Sequence, residues 1–216
     1  VSGKLKQLAI PKLEVSGIGA TTIAASGTIS GLPNVDKAYF DLNIKEVKTT
    51  SKDIASFTPK GTIPATIQLP SLLNLKGTFK GTIANFNTNL ALGSSYGAAK
   101  VNALFDQRIK NKERYDAQVS FANFDLGKLM RDKTIGKLSL KANAKGTGLD
   151  PKTAKATVQG TLLSLDYNKY KYQNLALKGA INNGLFDIAA DMQNPNLTLD
   201  LISSGNFKDK YTAVKA

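Results

Sequence analysis

The sequence predicts an all-β protein built from antiparallel strands with one apolar and one wet face. Three observations predict it. Apolar residues recur at every second position along most of the chain. The alternating runs are joined by short turn-like segments, which makes consecutive strands antiparallel neighbours. Gly and Ala recur on the apolar side of those runs, at Gly27, Gly77, Gly81, Ala142, Ala144 and Gly160. They permit sharp bending of a sheet and leave volume unfilled. Two architectures satisfy this pattern: an elongated sheet that curls without closing around a dry trough, or a two-sheet β-sandwich with a filled core.

Taken in order, Leu13, Val15, Ile23, Ala25 and Ile29 open the pattern in one long alternating run. Ala38, Phe40, Leu42 and Ile44 follow. Ile63, Ala65, Ile67 and Leu69 read as a further strand, with Pro64 marking it as an edge or a bulge. The stretch "LLNLKGTFKGTIANF" from Leu72 to Phe86 alternates cleanly, and Phe86, Thr88, Leu90 and Leu92 continue it. Past "GSSYG", a turn by composition, come Ala99, Val101, Ala103 and Phe105. Beyond the charged turn "QRIKNKER" lie Tyr115, Ala117, Val119 and Phe121.

Alternation breaks at "FDLGKLMRDK". Asp125 there can cap one short helix near 125–132 that carries Leu126, Leu129 and Met130. Strands resume with Leu138, Leu140, Ala142 and Ala144, then Ala156, Val158, Gly160 and Leu162. Leu175, Leu177, Gly179 and Ile181 are followed by "NNG", a hairpin turn. Phe186, Ile188, Ala190 and Met192 lead through "QNPN" to Leu197, Leu199 and Leu201. No linker divides these segments, so residues 1–216 read as a single unit. A loose repeat sets Gly31, Gly81 and Gly146 at matching places in three hairpin-sized stretches.

The chain has no His, no Cys and no Trp. That removes thiol nucleophiles, the commonest general base and the usual zinc ligands. Asp187 and Asp191 fall on the polar side of their strand, where solvent rather than an enclosing pocket surrounds them. "GTGLDPKT" lacks the full phosphate-loop spacing and reads as a turn. The sequence therefore points to no enzyme, no metal and no cofactor.

The net charge is +13, carried almost wholly by lysine; the arginines are Arg108, Arg114 and Arg131. Base and phosphate recognition favours the planar Arg fork. Lysines at alternate strand positions instead describe a solvated face that resists edge-to-edge association. Nucleic acid is accordingly not an expected partner. Tyr167, Tyr170 and Tyr172 alternate with Lys169 and Lys171 as cross-strand packing on such a face. No apolar run approaches the ~20 residues of a membrane-spanning helix. Opening on Val and closing on "KYTAVKA", the chain reads as an excised piece of a longer protein, with any anchor or export signal outside it.

Several stretches carry a family resemblance, clearest over about residues 70–207. They are "FDLGKLM", "GKLSLKANAKGTGLD", "YKYQNLALKGAINNGLFDIAADMQNPN" and, within the last, the turn from Ala190 to Asn196. In these the chain resembles the AsmA-like superfamily and, within it, the TamB (translocation and assembly module subunit) family in a Bacteroidetes-like form. The resemblance implies a periplasmic protein anchored in the inner membrane, whose body is a β-taco, a repeating β-groove lined with apolar residues. It implies phospholipid transport between inner and outer membrane and support of outer-membrane assembly. It also implies an outer-membrane barrel partner of the TamA type, engaged through regions outside this chain.

On this reading phospholipid acyl chains lie along the apolar side. The expected lining is Leu75, Phe79, Ile83, Leu90, Val101, Val119, Phe121, Leu138, Leu140, Val158, Leu177, Ile188 and Leu199. A second expectation, of a different class, is a structural or protein-binding β-domain that offers a sheet edge to nascent outer-membrane strands by β-augmentation.

Overall fold

The computed structural model describes residues 2–4, 7–59, 61–195, 197–207 and 213–215. The strands are β1 (Ser2–Lys4), β2 (Gln7–Ile18), β3 (Thr21–Ser30), β4 (Tyr39–Thr50), β5 (Leu72–Thr82), β6 (Asn85–Ser94) and β7 (Gly97–Asp106). They continue as β8 (Arg114–Asp125), β9 (Ile135–Thr147), β10 (Lys155–Tyr167), β11 (Tyr170–Asn182), β12 (Leu185–Asn194), β13 (Leu197–Asn206) and β14 (Ala213–Lys215). Two helices interrupt them, α1 (Ser51–Phe57) and α2 (Leu126–Met130). All strands join one antiparallel sheet whose spatial order is the chain order, from β1 to β14.

The sheet is open and curled, and among the described residues no second sheet covers it. Each long strand packs on its two neighbours in the sheet, and among the described residues no large side chain is fully buried. The sandwich alternative is therefore not what the chain adopts. Along β7 from Gly97 to Phe105 the apolar-side residues are half-buried while the residues between them are exposed, and β5 and β9 follow the same pattern except at Asn74, Thr82 and Ser139, which are half-buried too. The sheet curls toward its apolar face, whose side chains shelter one another.

Bulges keep that face consistent where the period of two slips. The register shifts between Ile44 and Val47 in β4, between Phe121 and Phe124 in β8, and between Leu162 and Ser164 in β10. Each bulge returns an apolar residue to the face that a strict alternation would turn to water. Two glycines hold backbone that other residues rarely adopt. Gly77 and Gly81 in β5 have φ of +139° and +129°, a region that L side chains rarely adopt. A Cβ on Gly77 would fall on the Asn89 carbonyl oxygen, and one on Gly81 on the Asn85 carbonyl oxygen.

Three expectations need correction. The run Leu13–Ile29 is a hairpin, turning at Gly19 and Ala20, although both arms keep their apolar residues on the same face. The segment with Ile63, Ala65, Ile67 and Leu69 is no strand but a loop of turns. Pro59, Pro64 and Pro70 remove ladder donors there, and Ile67 N–H bonds back to the Pro64 carbonyl at 2.9 Å. The helix near 125–132 is present as α2, where Asp125 Oδ1 accepts from the Lys128 N–H at 2.9 Å, but it is one of two.

The other helix, α1, begins at Thr50, whose Oγ1 accepts from the Asp53 N–H at 3.2 Å. The Asp53 carboxylate, buried, then accepts from Ala20 N–H at 2.9 Å and Thr21 Oγ1 at 2.8 Å. So α1 is pinned to the β2–β3 turn. From its end the chain crosses the tips of the sheet as a strap. Gln68 N–H reaches the Leu129 carbonyl at 2.8 Å, and Tyr96 OH reaches the Leu69 carbonyl at 3.3 Å. Pro70, Tyr96 and Phe124 are buried beneath and beside it.

Candidate functional site

Register places the apolar residues of β2 to β13 in four continuous rows across the sheet. The first runs Leu8–Ile29–Phe40–Gly81–Phe86–Phe105–Tyr115–Gly146–Ala156–Ile181–Phe186–Gly205. The second runs Ile10–Gly27–Leu42–Phe79–Thr88–Ala103–Ala117–Ala144–Val158–Gly179–Ile188–Ser203. The third runs Leu13–Ala25–Ile44–Gly77–Leu90–Val101–Val119–Ala142–Gly160–Leu177–Ala190–Leu201. The fourth runs Val15–Ile23–Val47–Leu75–Leu92–Ala99–Phe121–Leu140–Leu162–Leu175–Met192–Leu199.

These rows hold no charged residue. Their polar side-chain atoms are the hydroxyls of Thr88, Ser203 and Tyr115, and Thr88 Oγ1 is occupied by the Thr78 carbonyl at 2.8 Å. Burial raises the Tyr115 hydroxyl above its ordinary pKa, so it stays neutral. With strands about 4.8 Å apart and same-face neighbours about 6.8 Å apart, the rows cover a strip of about 50 by 20 Å. That is roughly 1,000 Å², more than the few hundred Å² a lone soluble domain usually exposes in one patch.

Two regions of the strip differ in relief. Toward its first half, phenylalanine rings stand in a chain. Phe40 to Phe79 is 6.2 Å between ring centres, Phe79 to Phe86 is 5.2 Å, and Phe86 to Phe105 is 5.7 Å. In its second half, Ala144, Ala156 and Gly179 leave a dent of about 280 Å³ between Tyr115 and Phe186, with Val158 and Ile188 in its wall. Small side chains flanked by rings thus create volume on a mostly apolar lining, with Asp187 at its margin.

Of the expected lining, Leu75, Phe79, Leu90, Val101, Val119, Phe121, Leu140, Val158, Leu177, Ile188 and Leu199 fall within the rows. Leu138 continues the face one step further, paired with Phe124 and Leu165. Ile83 does not line it. Thr82 pairs with Asn85, so Ile83 and Ala84 form the tip of the β5–β6 hairpin, and Ile83 is exposed. Its odd-numbered place continued the alternation only on paper, because the strand ends one residue earlier.

The expected lining left out Val47, Phe124 and Leu165, which bulges return to the face. Asn123 has φ of +48° and Asn174 of +58°, and asparagine tolerates that conformation better than most residues. Asn123 lies inside the β8 bulge, but Val47 has no such neighbour, and Asn89 and Asn102 sit in unbroken register, so Asn alone does not mark a bulge. The opposite face is mostly polar, with Leu104 and Ile202 exposed on it; there Lys80 pairs with Asp41 at 2.8 Å and Lys145 with Asp116 at 2.9 Å. Among the described residues no cluster of three carboxylates could hold a metal ion, and no helix is long and apolar enough to cross a membrane. No protein-family model matches the chain, and no curated protein or solved structure is significantly similar to it.

Proposed function

We propose that the apolar strip shelters the acyl chains of phospholipids, and that the chain is a segment of a periplasmic, inner-membrane-anchored protein of the AsmA/TamB type. Such a protein would carry lipid between inner and outer membrane and support outer-membrane assembly, with a barrel partner of the TamA type engaged by regions outside this chain. The observation that carries the reading is an uncharged face twelve strands long with no protein layer over it. A protein partner is ordinarily oriented by polar groups set into an apolar surface, and this strip supplies almost none.

The mechanism needs no bond-making step. A lipid tail of about 15 Å, half the hydrocarbon thickness of a bilayer, spans about three strand spacings. Each CH₂ withdrawn from water contributes about 0.8 kcal/mol, so a tail is held firmly in total. Because the face stays uncharged from strand to strand, moving a tail by one strand exchanges one set of apolar contacts for another and uncovers no polar group. The headgroup stays at the wet margin.

A photo-crosslinking residue placed at Phe79 or Leu140 of the full-length protein is expected to give phospholipid adducts. The same residue at Gln118, on the opposite face, is expected to give none. Absence of lipid adducts at every row position would overturn the reading. The open edges favour a second reading, β-augmentation of nascent strands onto β1 or β14. Adducts to barrel proteins at those edges, with no lipid on the rows, would establish it instead.

A further inference from the structure

The wet face is not uniform. Across β4 to β9 its acids are matched, Asp41 by Lys80, Asp116 by Lys145, and Glu46 by Lys48 at 2.9 Å and Lys76 at 3.3 Å, whereas Asp187, Asp191 and Asp200 on β12 and β13 stand beyond the end of the amide row, Asp191 directly opposite Asp200. Amid these pairs runs a row of side-chain amides. Asn89, Asn102, Gln118, Asn143 and Gln159 stand directly opposite one another across β6 to β10, and Lys178 closes the row on β11. Lys100 and Lys141 lie beside it, separated by Ser120. Among the described residues, none of these five amides has a side-chain partner, and neither Lys100, Lys141 nor Lys178 meets an acid.

These side chains bound a furrow. Two hollows of about 400 and 270 Å³ are lined by them, and the hollows meet at Lys141 and Asn143. The amides present a donor and an acceptor about every 4.8 Å; Lys100 and Lys141 fall two strands, or about 10 Å, apart, and Lys178 lies two strands further and one step along its strand, about 12 Å from Lys141. The matching ligand is a long hydroxyl-rich chain with one anion for every two steps. Single-stranded nucleic acid fits poorly, since the furrow has neither an aromatic ring for stacking nor an arginine.

We propose that the wet face binds an anionic polysaccharide with one acidic group per disaccharide, laid across β6 to β11. Its anions would sit at Lys100, Lys141 and Lys178, and its hydroxyls and amides would bond the Asn/Gln row. This goes beyond the lipid reading and does not depend on it.

The test is titration of the full chain with a linear glycan that alternates a uronic acid with N-acetylglucosamine. A neutral N-acetylglucosamine oligomer, poly-glutamate and a single-stranded oligonucleotide of equal length serve as comparisons. The acidic glycan is expected to bind tightest. Lys141→Gln should weaken it about tenfold, the weight of one charge-assisted hydrogen bond. Gln118→Ala should weaken it about two- to tenfold. Lys80→Gln, a lysine already paired, should leave binding unchanged. Circular dichroism of each variant verifies that the sheet is intact. Equal binding of poly-glutamate or the oligonucleotide, or indifference to Gln118→Ala, would overturn the proposal and leave only general attraction to a basic surface.

Discussion

Between β4 and β5 lie α1 and the strap around residues 68–70, whereas β10 and β11 are joined by the two residues Asn168 and Lys169. Both connections lie at the same end of the strands. The first half of the sheet is braced there by Asp53, by the strap and by α2. Among the described residues, the second half has short connections and nothing laid across them. Glycine differs in the same sense: Gly77 and Gly81 have positive φ, while Gly160 and Gly179 sit in ordinary extended backbone. Yet the apolar rows pass from one half to the other without interruption. Continuity of the face therefore comes from strand register and does not depend on the bracing.

The largest expected effect separates the two kinds of glycine. Gly77→Ala puts a Cβ onto the Asn89 carbonyl and forces a side chain into φ near +139°. A loss of more than about 3 kcal/mol in urea unfolding is expected. At Gly179 the new Cβ would stand 3.1 Å from Val158 Cγ1, with φ ordinary. Gly179→Ala should cost less than about 1 kcal/mol and should fill part of the dent. Equal losses at the two sites would show that glycine's bend in β5 is not what distinguishes the first half.

A smaller contrast tests the bracing itself. Phe124 is 4% exposed, edge-on to Phe121 at 5.5 Å, while Leu177 is 38% exposed in the open third row. Phe124→Ala is expected to cost about 3 kcal/mol. Leu177→Ala should cost under about 1 kcal/mol in the lipid-free protein, because its side chain already faces water. Added phospholipid should widen the stability difference between wild type and Leu177→Ala if the rows hold acyl chains. A large cost at Leu177 without lipid would mean that the strip is covered by protein.

Most of this was legible in the alternation. Residues such as Leu75, Leu90 and Val119 reach the face because strands keep a period of two, and turns such as Asn183–Gly184 advertise themselves. The strap and α1 were not legible as such. Ile63, Ala65, Ile67 and Leu69 alternate, and only the prolines argue against a strand, since their missing N–H groups cannot join a ladder. Helix α1 hid in "TTSKDIASF", where Thr50 and Asp53 form a short capping pattern without a long periodic apolar run behind it. What makes Asp53 matter, its bonds to Ala20 and Thr21, spans more than thirty residues of chain and leaves no local trace.

The smallest effect concerns the wet side of the first half. The Lys48 ammonium, ahead of the Asn74 amide and the Lys76 ammonium, holds the Glu46 carboxyl down at about 2 against its ordinary 4.5, with partial burial pulling the other way. As pH falls, the unfolded chain takes up a proton at this residue before the folded chain does. The stabilisation is whole above pH 4.5 and is lost between there and about pH 2. Glu46→Gln should therefore flatten the fall of stability across that window without abolishing it. Asp106, held at about 2 mainly by the Arg108 guanidinium, titrates over much the same range in either protein. Because the cluster is on the wet face, added salt should shrink the difference between wild type and variant. Acid unfolding monitored at low and high salt checks both statements. Parallel curves for the two proteins at low salt would show that the Glu46 cluster does not brace the first half.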